Sequence, residues 1–443
     1  MPMILVGMVA APGLLLLLMC AHWLTVGGMG ENQIRRSMAV VATIGSLLAL
    51  VLGWGLFEDG EIRSGVMHWI AVGSYHFELE LVVDRVSWPL VMLTNVLVAL
   101  VALVAAFSFR YMHKERGFFC FFAWITLFWF GALLAFTASS IDLLLGGWEL
   151  VGVSSVLLIG FFDERLDPVR NANRVFATYR LADLGLLIGI FALHSFAGTG
   201  SLDAMGELSG AGATVVALLL LMAASGKSAQ GPFLGWLPRA MEGPTPSSAL
   251  FYGAISVHLG AYLLLRAQPA IEASLLAKVA VISVGLGTAL VATLVHRASA
   301  DAKSSLAYAS MAQIGIIFAE IGLGLPTLAL LHMTGHAAMR TLQFLRAPSM
   351  LYDHHHLRAA AGGSLTPTGT HYEWLLPQRV RAWLYRVAIE RGFYDAIVDR
   401  WILYPVLKMA RWCEGFEPGN THGAKFEIAP QGVERTQLEE VQG

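Results

Sequence analysis

The sequence predicts an all-α, polytopic membrane protein with about eleven spanning helices, a broken seventh helix and a C-terminal amphipathic helix. Three observations carry that prediction. Of 443 residues, 56% are hydrophobic and only 14% charged, where soluble chains have about a quarter charged. Apolar runs long enough to cross a hydrocarbon core of ~30 Å recur along most of the chain. The loops between them alternate in charge, as the positive-inside rule requires of a multi-pass protein.

In chain order, the spans are read at 3–28, 37–57, 88–108, 117–137, 141–162, 175–197, 211–242, 245–267, 275–296, 304–324 and 326–347. The first lacks a basic leader and is too long for a signal core, so it reads as a retained span. Basic residues cluster after spans one (Arg35, Arg36), three (Arg110, Lys114, Arg116) and five (Arg165, Arg170, Arg174), whereas 58–87 is acidic and 198–210 has no Lys or Arg. That asymmetry puts the N-terminus outside a bacterial inner membrane and residue 348 onward in the cytoplasm. After the membrane domain (1–347), a Gly-, Thr- and His-rich stretch reads as a cytoplasmic loop over 348–372. Residues 373–415 repeat apolar positions at helical spacing, but Arg386, Glu390, Arg391, Asp395, Asp399 and Arg400 are too dense for a span. An amphipathic helix on a membrane surface or a partner fits better. The remainder, 416–443, reads as a flexible tail.

Composition also excludes functions. A net charge of −2 gives no bulk signal for nucleic acid, and Cys20, Cys120 and Cys413 lie far apart without metal spacing. The chain carries no Gly-rich nucleotide loop, flavin site or iron–sulfur cysteine set. No metal site, cofactor or catalytic centre of its own is expected.

What stands out is charge where lipid should be, since a polar residue in a span costs ~2.5 kcal/mol or more unless it faces protein or water. Glu149 lies inside the fifth span and Lys227 inside the seventh, while His332, His336 and Arg340 form an i, i+4, i+8 stripe on the eleventh. His258 and Glu320 are further singletons, and Asp183 follows Arg180 at the start of the sixth span. Each also fits a structural part: an interhelical tie for Glu149, a snorkelling end for Lys227, an ion pair for Asp183 and packing for the stripe. The prolines weigh toward function. Pro232, Pro238, Pro244 and Pro246 fall within a short stretch after Lys227, and a helix broken inside the membrane survives only where protein or water satisfies its freed backbone. A lysine there loses and regains a proton readily. Glu149 and Lys227 are expected to face each other across a hydrated cavity as a switchable pair, with the histidines as the next stage.

These stretches resemble a known family, the antiporter-like subunits of respiratory complex I, and its large distal subunit most of all, a group related to Mrp-type antiporters. GWELVGVSSVLLIGFF is similar to the family's glutamate motif and RLADLG to its arginine–aspartate motif. GKSAQGPFLGWLPRAMEGPTPSSAL is similar to its broken-helix lysine motif, DAKSSLAYASMAQIG to the opening of a later span, and LLHMTGHAAMRTLQFL to its histidine span. GFYDAIVDRWILYPVLKMARW looks like the distal subunit's C-terminal signature. The resemblance implies that Glu149 and Lys227 form the first ion pair, that Lys303, His332 and His336 form a central relay, and that Asp183 beside Arg180 modulates them. It departs from the family at Tyr252, where histidine is usual, with His258 six residues on, and at Arg340, where lysine is usual. The spans that follow in the large subunits, with a second lysine-bearing broken helix, have no counterpart before the C-terminal signature.

The expected function is therefore a proton-conducting, energy-coupling subunit of a multi-subunit membrane complex, with H⁺ carried and Na⁺ as the alternative ion. Two kinds of complex fit: a DAB-type inorganic-carbon uptake system with a carbonic-anhydrase-like zinc partner, toward which the short length leans, and a complex I-like NADH–quinone oxidoreductase. A structural or assembly subunit that no longer transports is the competing class.

Overall fold

The computed structural model describes residues 1–72, 75–108, 111–299, 301–360 and 376–398, with Arg400, Tyr404, Pro405, Lys408 and Met409 beyond them. Two units are distinguished, 1–392 and 393–443. The first opens with α1 (Pro2–Val26), ended by Gly27 in the left-handed conformation, and α2 (Glu31–Asp59). The acidic segment that follows carries strands the sequence did not announce. β1 (Ile62–Arg63) pairs antiparallel with β4 (Val82–Val83), and β2 (Met67–Val72) with β3 (Tyr75–Leu79). Then come α3 (Ser87–Phe107), α4 (Phe118–Thr137), α5 (Ile141–Ile159), α6 (Leu166–Ala197) and α7 (Gly210–Lys227).

Past a break lie α8 (Trp236–Arg239), α9 (Thr245–Ser248), a π-helical turn over Ala249–Ala254, and α10 (Ser256–Arg266). The segment from Thr245 to Arg266 forms one span. α11 (Gln268–Glu272), α12 (Leu275–Ala298), α13 (Ala302–Gly322), α14 (Pro326–Ala360) and α15 (Gln378–Ile389) complete the unit. Among the described residues of the second unit there is a short helix, α16 (Tyr394–Val398).

Among the described residues, ten helical segments are long and apolar enough to cross a membrane, which makes the chain a multi-pass membrane protein. Their bounds lie within a few residues of the sequence-predicted spans, except that α6 starts at Leu166 rather than 175 and the seventh span ends at Lys227 rather than 242. α14, on the predicted eleventh span, stands outside the ten because His332, His336 and Arg340 lower its mean hydropathy. It also runs on to Ala360, so the first part of the stretch expected as a loop over 348–372 is helical, while 361–372 lies outside the described residues. The run passes Pro348 and then meets no glycine or proline from Leu351 to Ala360, the Gly-Gly pair coming only at 362–363. The amphipathic helix expected over 373–415 is shorter than predicted. α15 ends at Ile389, and Arg391, Gly392 and Phe393 all take positive φ before α16. α15 packs on α12 of the same unit. The tail expected over 416–443 lies outside the described residues.

The core is built around the span from Thr245 to Arg266, whose most apolar window is 100% buried, against 28% for α12 at the periphery. Lipid is as apolar as leucine, so helices in a membrane gain most from close backbone approach. α12 and α13 use Gly285 and Gly315 in this way: a Cβ on either would lie within 2.4 Å of the other's carbonyl oxygen. A polar clamp then fixes the end of the central span. Arg266 holds Asp84 through two hydrogen bonds of 2.5 and 3.1 Å, and Asp84 Oδ1 also accepts from the amides of Val86 and Ser87 that open α3.

Candidate functional site

The break after α7 is where charge meets irregular backbone; the amides of residues 228–231 are bonded within the protein, while Gln230 Oε1 is buried with no hydrogen-bond partner among the described residues. The carbonyl of Ser225 accepts from the Gln230 amide at 2.8 Å, and that of Gly226 accepts from Trp236 Nε1 at 2.8 Å. Gln230 Nε2 donates to Ser228 and Met311 carbonyls, and the Gly231 amide donates to Thr288 Oγ1 at 2.9 Å. This is how a helix is interrupted inside a bilayer without stranded donors. The four prolines divide. Pro232 lies in the unwound stretch and Pro238 inside α8, whereas Pro244 and Pro246 start the next span, Pro244 as the N-cap of α9 and Pro246 in its first turn.

Lys227 sits at the last position of α7 and is 1% exposed. Its ammonium donates to the Trp148 carbonyl at 3.1 Å and lies 4.7 Å from the ring centres of both Trp148 and Tyr179. Trp236 packs edge-on against Tyr179 at 4.9 Å. Aromatic faces stabilise a cation while leaving its protons unclaimed. Two glycines make the cage. A Cβ on Gly152 would lie 3.2 Å from the ammonium nitrogen, and one on Gly226 would lie 2.0 Å from Ala182 Cβ, so only glycine lets α5 and α6 come this near to α7.

Arg180 joins the two carboxylates. Glu149 is bonded to Arg180, which also bonds Asp183 Oδ2 at 3.0 Å, and Asp183 Oδ1 accepts from Trp148 Nε1 at 2.7 Å. Asp183 is 2% exposed, while the Glu149 and Arg180 side chains are 29% and 42% exposed. Glu149 turns outward to Arg180 and makes no hydrogen bond or ion pair with Lys227 among the described residues, and Asp183 is the buried carboxylate beside the lysine cage. Sequence reasoning placed Asp183 as an accessory and missed the cage. The signal was present, since Trp148 and Tyr179 directly precede Glu149 and Arg180.

A second polar set joins α10, α13 and α14. His258 Nε2 and His336 Nδ1 are 3.0 Å apart, Arg340 Nε donates to His336 Nε2 at 3.1 Å, and Arg340 Nη1 donates to Gln343 Oε1 at 2.6 Å. His258 Nδ1 donates to the Ala254 carbonyl. The π-helical turn frees that carbonyl, because the His258 amide bonds Ile255 instead, at 3.2 Å. His332 stands apart, with Nδ1 against Glu320 at 3.0 Å and Nε2 against Gln313 Oε1 at 3.0 Å. Both of its nitrogens face acceptors, which an imidazolium satisfies; a neutral ring is satisfied only if the Gln313 amide turns its NH₂ inward. Its ring centre is 6.3 Å from that of His336. The expected stripe is thus real on one helix face and splits chemically between His332 and His336.

Lys303 does not join the histidines. It lies in the first turn of α13, ten residues before Gln313, or about 15 Å at 1.5 Å per residue, and its ammonium donates to the carbonyls of Met241 (2.6 Å) and Gly243 (2.9 Å). There it caps the end of the broken helix's second half, as a cation does at a helix C-terminus. Tyr252, at the position of the absent histidine, reaches Ser155 Oγ at 3.0 Å, and Ser155 lies 3.4 Å from the Tyr179 hydroxyl. Among the described residues, then, hydroxyls connect the wall of the lysine cage to the π-helical turn, six residues short of His258.

Comparison with known proteins bears on this arrangement directly. The sequence matches the family described as NADH:quinone oxidoreductase/Mrp antiporter, transmembrane, over residues 138–365, slightly more than half of the chain. It also matches NADH-ubiquinone oxidoreductase (complex I), chain 5 N-terminus, over residues 69–122. It is 33% identical over 356 residues to NADH-quinone oxidoreductase subunit L of Rhodobacter capsulatus, covering 75% of this chain and 50% of that one. With NADH-ubiquinone oxidoreductase chain 5 of Allomyces macrogynus it shares 32% over 344 residues, 75% of this chain and 53% of the other. The fold resembles a chain of the Mrp complex from Dietzia sp. DQ12-45-1b, with a TM-score of 0.68 and 26% identity over 77% of this chain and 37% of that one. The chain spans about half the length of the curated relatives it matches. The first match takes in the lysine cage, the broken helix and the histidine set together, and the chain belongs to the NADH:quinone oxidoreductase/Mrp antiporter family of membrane proteins.

Proposed function

We propose that this chain is a proton-conducting, energy-coupling subunit of a multi-subunit membrane complex of the complex I or Mrp kind. The observation that carries the reading is Lys227: a fully buried ammonium at a helix break, held by one carbonyl and two aromatic faces beside the buried Asp183. A purely structural lysine would not need so costly a position. The ion is H⁺ rather than Na⁺, because the groups around Asp183 are N–H donors from Trp148 and Arg180, whereas Na⁺ needs oxygen ligands. The alternation of basic and acidic loops supports an outside N-terminus and a cytoplasmic tail in a bacterial inner membrane. The membrane domain (1–347) carries conduction, and α15 serves docking.

Of the two complexes weighed from sequence, the complex I-like one agrees with the names of the relatives given above; none of them names inorganic carbon or a zinc partner. Mild purification through this chain separates the two. Flavin and iron–sulfur partners support the complex I-like reading, and a zinc protein supports carbon uptake. Proton uptake by the purified complex in vesicles then tests conduction. Lys227→Met keeps the stem but removes the titrating group, and should cut uptake roughly 10²-fold, the scale of losing one positioned proton carrier, with partners retained. Uptake at the parent rate would instead support a scaffold.

A further inference from the structure

We infer that Arg340 is a positioning residue that locks His336 and His258 in their Nδ1–H tautomers, and that His258 takes the place of proton-exchange partner to His336. The argument follows the hydrogen bonds from a group with no choice. A guanidinium only donates, so His336 Nε2, 3.1 Å from Arg340 Nε, must present its lone pair. A neutral His336 therefore carries its proton on Nδ1, which faces His258 Nε2 at 3.0 Å. That nitrogen must accept, which leaves the His258 proton on Nδ1, and there it meets the Ala254 carbonyl, a group that only accepts. The chain runs one way, from an obligate donor to an obligate acceptor, and every ring nitrogen in it is taken.

The local sequence holds this geometry. Gly253 admits α14 beside the π-helical turn, where a Cβ would lie 2.9 Å from Phe344 and 3.4 Å from Arg340 Cβ. The π turn supplies the free carbonyl at Ala254, and His258 reaches it from one turn on. The charged and titratable groups facing the pair are Arg340 and His332 on α14 and, through His332, Glu320 on α13.

The consequence for conduction rests on the proposed function. A proton coming from His332 reaches His336 only at Nε2, and only once Arg340 has released that nitrogen. Gln343, already bonded to Arg340 Nη1 at 2.6 Å, offers the arginine an anchor away from the ring. With Nε2 protonated, the Nδ1 proton passes to His258 Nε2, leaving His336 neutral and His258 an imidazolium still bonded to Ala254. Lysine at 340 would make the same hydrogen bond but could surrender its proton, so the arginine acts as a latch.

The test is nitrogen NMR on the intact complex in lipid bilayers, with histidine labelled and the two rings assigned from His258→Gln and His336→Gln spectra. Both rings should show a protonated Nδ1 and a bare Nε2. In the His258→Gln background, where the side chain at 258 can either donate or accept, His336 should keep its proton on Nδ1 while Arg340 is present and move it to Nε2 once Arg340→Leu is added, and Arg340→Lys should restore the parent signature. Rings bearing Nε2–H in the parent protein, or a His336 signal that Arg340→Leu leaves unchanged in the His258→Gln background, would overturn the lock. Arg340→Lys should also raise proton uptake several-fold; if the NMR result holds and uptake stays at the parent rate, the lock stands and conduction through this pair is refuted.

Discussion

The two buried polar sets handle positive charge in opposite ways. At Lys227, three ammonium protons meet one carbonyl and two aromatic faces, so only one of them has a hydrogen-bond acceptor among the described residues. At His336 both ring nitrogens are engaged and the neighbouring cation is an arginine. The lysine set leaves a hydrogen-bonding position open; the histidine set leaves none while Arg340 is in place. Intramembrane charge alone thus does not make a proton carrier. A carrier also needs an open hydrogen-bonding position through which its proton can leave.

Several substitutions would break or sharpen that comparison. Asp183→Leu should have the largest effect on stability. It takes from Trp148 its hydrogen-bond acceptor and removes the buried carboxylate beside the ammonium of Lys227, itself 1% exposed, and leaving such a buried charge uncompensated costs about 3–5 kcal/mol. Glu320→Leu, its counterpart in the histidine set, acts on a side chain that is 13% exposed and bonded to His332. It should cost less, about 1–3 kcal/mol. Thermal unfolding of the purified complex ranks the two, and the reverse order would show that the histidine set is the more tightly tied.

Gly226→Ala should come next, because its Cβ would lie 2.0 Å from Ala182 Cβ and overpacking of this kind costs about 1–3 kcal/mol. Uptake should fall with it, since the same contact positions Lys227. The smallest change should come from Tyr252→Phe. Losing the hydroxyl bond to Ser155 costs about 1 kcal/mol, and uptake should stay within about twofold. Collapse of uptake would mean that the residue at 252, and not His258, is the exchange partner.

Much of this was legible beforehand, for reasons the residues make plain. Span positions follow from hydropathy, a property of the chain read in order. The break after Lys227 follows from Pro232 and Pro238, which act within a few residues. The stripe of His332, His336 and Arg340 follows from helical period alone. What could not be read was which faces meet. Glu149 chooses Arg180 over Lys227 because α5 and α6 present them together, and Lys303 caps the broken helix because α13 begins beside it. Neither depends on sequence spacing. The bond from His258 to His336 was hidden for a further reason: it depends on a π-helical turn that shifts the register after Tyr252. The helical run to Ala360 was obscured by its histidines, which read as loop when composition was weighed over the whole stretch.

The most direct test of the central claim, that an open carrier at Lys227 and a latched pair at His336 lie on one proton path, is a two-residue cycle on the intact complex in vesicles. Proton uptake is measured for the parent, Lys227→Met, Arg340→Lys and the double variant. On one path, releasing the latch speeds uptake only while the carrier is present, so Arg340→Lys should raise the rate and the double variant should fall to the rate of Lys227→Met. If the double variant instead keeps the increase given by Arg340→Lys, the two sets do not share a path, and the account is contradicted.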